Sequence, residues 1–251
     1  MSGAVSGQWA APFFAGKRVL VTGGTSGIGA ALATGFLDAG AEVTATGVGE
    51  AEIEAALVDE SLARADIRLL DVREADDVRA LVGSFDGLDV VVNCAGVIRR
   101  GEEFDPDVFA SVVDINLTGS MRVCAAARPL LAASGGAIVN LASMLSFFGG
   151  GLVPGYAASK GGIAQMTKSL AIAYAADGIR VNAIAPGWIE TPLTANLRAD
   201  PERDGAIVAR TAMKRWGRPE DLVGGVLFLC SPAAGFITGA ILTIDGGYSI
   251  T

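Results

Sequence analysis

The sequence predicts an α/β fold: a doubly wound, seven-stranded parallel sheet with helices on both faces. Short runs rich in Val, Ile and Leu alternate with segments of helical length, and the runs are continuously apolar rather than alternating in polarity. A strand covered on both faces needs that pattern, and a parallel sheet between two helical layers covers both faces. Size agrees, since 251 residues, 51% of them hydrophobic, can bury one large core.

In chain order the strands are expected at residues 17–22 (KRVLVT), 41–46 (AEVTAT), 66–71 (DIRLLD), 88–93 (LDVVVN), 136–143 (GAIVNLAS), 179–186 (IRVNAIAP) and 240–245 (AILTID). Helix-length segments separate most of them, and Gly and Pro cluster at the element ends, where turns belong. Internal repeats, low-complexity tracts and linkers are absent from the sequence, so residues 16–251 are expected to form a single domain. Residues 1–15, small residues with scattered aromatics, are expected to be an N-terminal extension. The charged stretch after the sixth strand, broken by Pro201, Gly205 and Pro219, reads as a lid around residues 190–215.

Composition excludes several activities. A net charge of -8 disfavours a broad nucleic-acid surface, which needs clustered Lys and Arg. The chain has no histidine, which removes Ser-His-Asp hydrolysis and histidine-bound zinc. Cys94, Cys124 and Cys230 lie at wide spacing in apolar segments, so no metal site is expected and a reducing cytoplasm fits. The N-terminus lacks the pattern of a secretory signal, and no apolar run approaches a membrane span, so no membrane partner is expected.

The first strand runs directly into TGGTSGIGAALATGF, where Gly23, Gly27 and Gly29 form a GxxxGxG turn. Missing side chains there let backbone N–H groups and a helix N-terminus approach a pyrophosphate, as in Rossmann-type sites. Asn93, Ala95 and Gly96 (NCAG) end the fourth strand and Asp71 follows the third, both at carboxyl ends, where open α/β sheets bind ligands. Ser143 is expected to close the fifth strand, and Tyr156 and Lys160, four apart on the next helix, share one face. A nearby ammonium stabilises phenolate, so Lys160 is expected to tune Tyr156 as a base in a chain without histidine. Asn116, in DINLTG, is placed to hold a water linking Lys160 to solvent.

From about Lys17 to Tyr248 the sequence resembles the short-chain dehydrogenase/reductase family: TGGTSGIG, NCAG, Asn116, Ser143 with YAASK, PGWIET and ITGAILTIDGG stand in that family's order and spacing. The resemblance implies a nicotinamide-dependent oxidoreductase acting on a secondary alcohol or ketone. Tyr156 would be the acid/base, Lys160 would hold the ribose and lower the tyrosine pKa, Ser143 would orient the substrate oxygen and Asn116 would complete the proton relay. It also implies a cofactor site of Gly23, Thr25, Ser26, Gly27, Ile28, Gly29, Gly47, Asp71, Val72, Asn93, Ala95, Gly96, Tyr156 and Lys160. Pro186, Gly187, Ile189 and Thr191 would fold over the nicotinamide. A homotetramer is implied as well.

Cofactor choice turns on the second strand. Gly47 stands where NAD-preferring members often carry an acid, and Ser26 where NADP-preferring members often carry Arg or Lys. With neither acid nor cation, the acidic chain is expected to favour NAD, with NADP possible. On that reading Gly47→Asp sharpens the preference and Ser26→Arg moves it toward NADP.

For the substrate, Arg99, Arg100 and Arg198 are the candidate carboxylate partners, with Ser143 and Met144 lining the pocket. AGVIRR, ASMLSFFGG, VPGYAASK, LRAD and RWGRPEDL together resemble the subgroup that contains 2-dehydro-3-deoxy-D-gluconate 5-dehydrogenase and gluconate 5-dehydrogenase. A sugar-acid or keto-acid alcohol is the implied substrate. Alternatives are a 3-oxoacyl or other hydrophobic ketone, suggested by Phe147 and Phe148, and a dinucleotide-binding regulator without turnover.

Overall fold

The structure, a computed structural model, describes residues 7–251. Its strands are β1 (Arg18–Thr22), β2 (Glu42–Gly47), β3 (Asp66–Leu69), β4 (Val90–Asn93), β5 (Ala137–Leu141), β6 (Arg180–Pro186) and β7 (Ile241–Ile244). They form one sheet in the order β3-β2-β1-β4-β5-β6-β7, and every adjacent pair is parallel. The chain builds outward from β1 to β3, then crosses back so that β4 lies on the other side of β1. Thr22 and Asn93 are partners across that junction, so both strands end level and a cleft opens beyond them.

Alternation along the strands divides the core. Val19 and Val21 face one helical layer, where Leu32 and Phe36 of α1 (Gly27–Asp38) meet Leu222 and Val226 of a later helix, Glu220–Cys230. Leu20, Val91 and Ile138 face the other layer, against Val123, Leu131, Leu170 and Tyr174. The remaining long helices are α2 (Glu50–Leu57), α3 (Ala75–Gly83), α4 (Pro106–Val113), α5 (Ser120–Ser134), α6 (Pro154–Tyr174), α7 (Pro201–Arg210) and α8, the Glu220–Cys230 helix already met.

Of the expected N-terminal extension, residues 1–6 lie outside the described residues. Residues 7–14 form two short helical turns, and Phe14 is buried with its ring edge-on to Phe36, centroids 5.1 Å apart.

α4 and α5 are joined through a π-helical segment, Asp114–Gly119, into 29 helical residues, Pro106–Ser134. Length and composition alone would let this helix cross a membrane, which corrects the expectation that no segment approaches a span. Here Val123, Cys124, Ala127 and Leu131 are sunk in the core, while Arg122 and Arg128 pair with Asp114 and Asp177.

Two expected strand ends are trimmed for local reasons. β3 stops at Leu69, because Asp71 turns its carboxylate onto the backbone N–H and guanidinium of Arg73. β5 stops at Leu141, and Ser143 instead caps a short helical turn, accepting a hydrogen bond from the Leu145 N–H at 3.1 Å.

Candidate active site

The cleft between β1 and β4 is lined first by backbone. Gly23 has φ +61°, and a Cβ there would stand 2.8 Å from the Ala95 backbone; a Cβ on Gly29 would collide with the Gly23 carbonyl. Only glycine lets the turn pass this close to β4 and aim the N-terminus of α1 into the cleft. Ile28 and Gly27 open that helix, and the Gly27 Cβ position lies 3.5 Å from the Thr191 methyl. The far wall is therefore the segment after β6. There Gly187 donates to the Ile244 carbonyl at 3.1 Å, Ile189 is buried and bridges to Gly217, and Thr191 caps the turn Pro192–Thr194. A cradle of peptide groups that any side chain would fill, at a sheet's crossover point, fits the pyrophosphate of a dinucleotide.

On the β2 side the residues are closer than the sequence suggested. Glu52, in the first turn of α2, accepts from the Thr25 hydroxyl, from the Ser26 hydroxyl at 3.3 Å and from the Val48 N–H at 3.3 Å. The expectation that no acid stands here is corrected: the acid comes from α2. A Cβ on Gly47 would lie 2.6 Å from the Thr25 hydroxyl and 3.0 Å from the Glu52 carboxyl carbon, so a side chain at position 47 would have to push both groups aside. Sequence gives no mark that singles it out, because Glu52 is one of three glutamates on α2 and only the fold brings its carboxylate onto Thr25.

Val72 is buried against the position where Gly119 would carry a side chain. Asp71 is engaged by Arg73, whose guanidinium holds its carboxyl below the usual range. Asn93 turns its side chain away into a buried chain, donating to Asn140 Oδ1 at 2.9 Å, while Asn140 Nδ2 in turn donates to the Thr167 hydroxyl oxygen at 3.0 Å. Asn93 Oδ1 itself is a buried acceptor without a partner.

The reacting groups converge at the carboxyl ends of β4 and β5. Tyr156 lies in the first turn of α6, and the Lys160 ammonium sits 5.5 Å from its ring centre. Lys160 is buried and donates to the Leu141 carbonyl at 2.6 Å. The burial pulls its pKa down to about 8. Burial raises the Tyr156 phenol, a hydrogen bond with the Ser143 side chain lowers it, and the Glu103 charge raises it. Desolvation therefore dominates at the tyrosine, rather than the lysine charge expected to tune it.

Asn116 sits in the π-helical segment, fully buried. Its side chain accepts from the Val97 N–H at 2.8 Å and donates to the Val97 carbonyl at 3.0 Å and the Ser159 hydroxyl at 3.1 Å. A Cβ on Gly96 would lie 3.2 Å from Asn116 Oδ1 and 3.8 Å from Lys160 Nζ, so the three residues share one corner of the cleft.

Glu103 is a further group the sequence did not mark for the site. Only 1% exposed, it accepts from the backbone N–H of Arg99 and of Tyr156, each at 2.8 Å, and so ties the loop after β4 to the start of α6. It is thus a buried clamp rather than a surface carboxylate.

The candidate substrate residues lie in different surroundings. Arg99 and Arg100 are exposed, Arg198 pairs with Glu190 at 3.2 Å, and Met144 is buried beside Ser143. The segments after β5, β6 and β7 instead bring aromatic rings together. Phe148 and Trp188 lie 6.5 Å and 6.2 Å from Tyr248, and Arg210 of α7 stacks 4.3 Å over Tyr248 and 5.7 Å over Phe148. The Trp188 indole N–H is buried without a partner.

The thiols are unreactive by environment, since burial pushes Cys94, Cys124 and Cys230 up to about 12.

Residues 23–249 match the protein family described as "Enoyl-(Acyl carrier protein) reductase". The chain is 38% identical over 244 residues to 2-dehydro-3-deoxy-D-gluconate 5-dehydrogenase of Pseudoalteromonas atlantica, covering 93% of this chain and 96% of the relative. It is 41% identical over 247 residues to cis-4-hydroxycyclohexanecarboxylate dehydrogenase of Sinomonas cyclohexanicum, covering 94% and 98%. Among solved structures, a gluconate 5-dehydrogenase from Burkholderia cenocepacia, in complex with NADP and tartrate, superposes with a TM-score of 0.89. It is 34% identical, over 95% of this chain and 97% of that one. With matches of this extent on a parallel sheet that carries the glycine turn and the Ser-Tyr-Lys group, the chain belongs to the short-chain dehydrogenase/reductase family.

Proposed function

We propose that the protein oxidises the secondary alcohol of a small hydroxy acid, a sugar acid first among them, with NAD as the hydride acceptor. The observation that carries this reading is the convergence of Ser143, Tyr156 and Lys160 beside a side-chain-free glycine cradle. The cradle of Gly23, Gly27 and Gly29 would hold the pyrophosphate, with Pro186, Gly187, Ile189 and Thr191 over the nicotinamide. A nicotinamide dinucleotide held there supplies the hydride acceptor.

The protein's own work is to move the proton. Tyr156 takes the proton from the alcohol oxygen, and Ser143 donates a hydrogen bond to the same oxygen as it becomes a carbonyl. Phenolate in a buried site needs compensation; the Ser143 hydroxyl supplies a hydrogen bond that lowers the phenol pKa, and the Lys160 ammonium, 5.5 Å from the ring centre, is the cation that would move onto the phenolate as it forms. Asn116, locked by three hydrogen bonds, holds the π-helical turn against Gly96 and Lys160 and gives the relay a fixed wall. Glu103 fixes the backbone of Tyr156 itself.

Relatives named for sugar-acid oxidation support the substrate class, as does the tartrate held in complex by the Burkholderia enzyme. A second reading, an alicyclic hydroxy acid, is favoured by the ring cluster of Phe148, Trp188 and Tyr248 and by the Sinomonas relative. In both, the acid group needs a cation; Arg99, Arg100 and Arg198 are joined as candidates by Arg210. A homotetramer in the cytoplasm is part of the proposal, supported by apolar side chains left exposed at Met121 on α5, Ile172 on α6 and Ile250 at the C-terminal end.

The test mixes purified protein with NAD and a panel of sugar acids, alicyclic hydroxy acids and their neutral analogues, and follows absorbance of the reduced nicotinamide. Turnover confined to acids supports the reading; turnover only on acyl ketones, or none on any alcohol, overturns it.

A further inference from the structure

Glu52 reaches over the glycine turn with both carboxylate oxygens occupied. One accepts from the Thr25 and Ser26 hydroxyls, the other from the Val48 N–H just past β2. Thr25 and Ser26 are the side-chain-bearing residues in the turn that would cradle the pyrophosphate, and β2 neighbours β1 on the side away from the reacting groups. In a doubly wound fold the adenosine half of a dinucleotide lies on that side, with its ribose between the glycine turn and the end of the second strand. A carboxylate at this place accepts from ribose hydroxyls, and it faces a 2′-phosphate with like charge.

The surroundings leave the carboxylate in command. Arg68 on β3 is engaged by Asp66 and Arg73 by Asp71, so the cations of the adjoining strand and turn already have acidic partners. Gly47 leaves the end of β2 bare, and a Cβ there would crowd Thr25 and Glu52. The bare strand end is what lets an acid on the following helix fold down onto the turn.

We infer that Glu52 receives the adenosine ribose and excludes a 2′-phosphate, so that NAD selectivity is supplied from α2 rather than from the end of β2. The inference rests on the nicotinamide-dehydrogenase reading and deepens it. Rejection is by repulsion as much as by attraction, which is how specificity between two near-identical ligands is usually obtained.

Isothermal titration calorimetry of NAD and NADP against wild type and Glu52→Gln tests this without turnover, with circular dichroism confirming that the variant is folded. Wild type is expected to bind NAD at least about tenfold more tightly than NADP, a difference near 1.4 kcal/mol. Glu52→Gln is expected to shrink that ratio at least about fivefold, chiefly by tightening NADP. An unchanged ratio in the folded variant overturns the assignment, and so does a wild type that binds NADP as tightly as NAD. Should Glu52→Gln not fold, wild type alone decides by competition between ADP and 2′,5′-ADP, which lack the nicotinamide half: preference for ADP supports the role of Glu52, and preference for 2′,5′-ADP overturns it. Wild type that binds neither dinucleotide defeats the nicotinamide reading itself, an outcome distinct from a ratio that fails to move.

Discussion

The Lys160 ammonium stands 5.5 Å from the centre of the Tyr156 ring, buried, with its hydrogen bond given to the Leu141 carbonyl rather than to the phenol. The pair is thus assembled at a cost to folding. A lysine with a pKa near 8 in the folded chain and 10.5 in the unfolded chain destabilises by about 3 kcal/mol wherever both states are charged.

Lys160→Met is therefore expected to abolish turnover yet stabilise the cofactor-free fold near pH 7, by roughly 1–3 kcal/mol after the lost Leu141 bond is counted. The sign follows from proton binding. Between pH 8 and 10.5 the unfolded chain holds the lysine proton more tightly, so wild-type stability rises with pH and the advantage of the variant shrinks. Urea titrations at pH 7 and pH 10 measure both effects; a less stable variant at pH 7, or an advantage independent of pH, contradicts the account.

Glu103→Gln removes the charge that raises the Tyr156 pKa and replaces one acceptor with an amide donor facing a backbone N–H. Oxidation needs phenolate, so the pH of half-maximal rate is expected to fall. Stability is expected to drop by about 1–3 kcal/mol for the unsatisfied group. The pH profile separates the two effects, since a merely structural role would lower stability without moving the profile.

Gly47→Asp, which sequence alone suggests would sharpen NAD selectivity, is expected to weaken NAD binding instead, because the new side chain must displace Thr25 and Glu52. A loss of about tenfold or more in NAD affinity corresponds to the 1–3 kcal/mol typical of overpacking. Calorimetric NAD affinity equal to or better than wild type would contradict this packing.

Arg210→Ala detaches α7 from the Phe148 and Tyr248 rings. Each stacked contact contributes about 0.5–1 kcal/mol at a partly exposed site, so loss of both is expected to raise KM roughly five- to thirtyfold with kcat less affected. An acid substrate losing more than its neutral analogue would identify Arg210 as the carboxylate partner too. An unchanged KM would show that α7 does not close over the substrate.

Legibility followed the range of the interactions. β1, β2, β4, β5 and β6 were readable because burial on both faces leaves a local signature in Val, Ile and Leu. The edge strands β3 and β7, exposed or half-buried, were readable only as short apolar runs, and the glycine turn was readable because close approach excludes every other residue. Glu52 and Glu103 were not. Each acts through a fold-dependent meeting, Glu52 with Thr25 and Glu103 with the Tyr156 N–H 53 residues away, and a charged residue in a helical or loop segment looks the same in sequence whether it faces solvent or a site. The arginines show the converse: Arg99 and Arg100 stand beside the NCAG segment in sequence and are exposed in the fold, so their place next to a motif does not by itself tell a substrate contact from a solvated surface. The two trimmed strands show local side-chain chemistry overriding strand propensity, through the Asp71–Arg73 pair and the Ser143 cap.

The central claim is that a histidine-free site moves its proton through Tyr156, and Tyr156→Phe tests it most directly. The ring and its packing stay while the phenolic oxygen goes. With NAD and the best substrate of the panel, turnover is expected to fall at least about 10²-fold, the usual scale for losing a general acid or base, while calorimetric NAD affinity stays near wild type. A Phe variant that turns over at close to the wild-type rate would contradict the account.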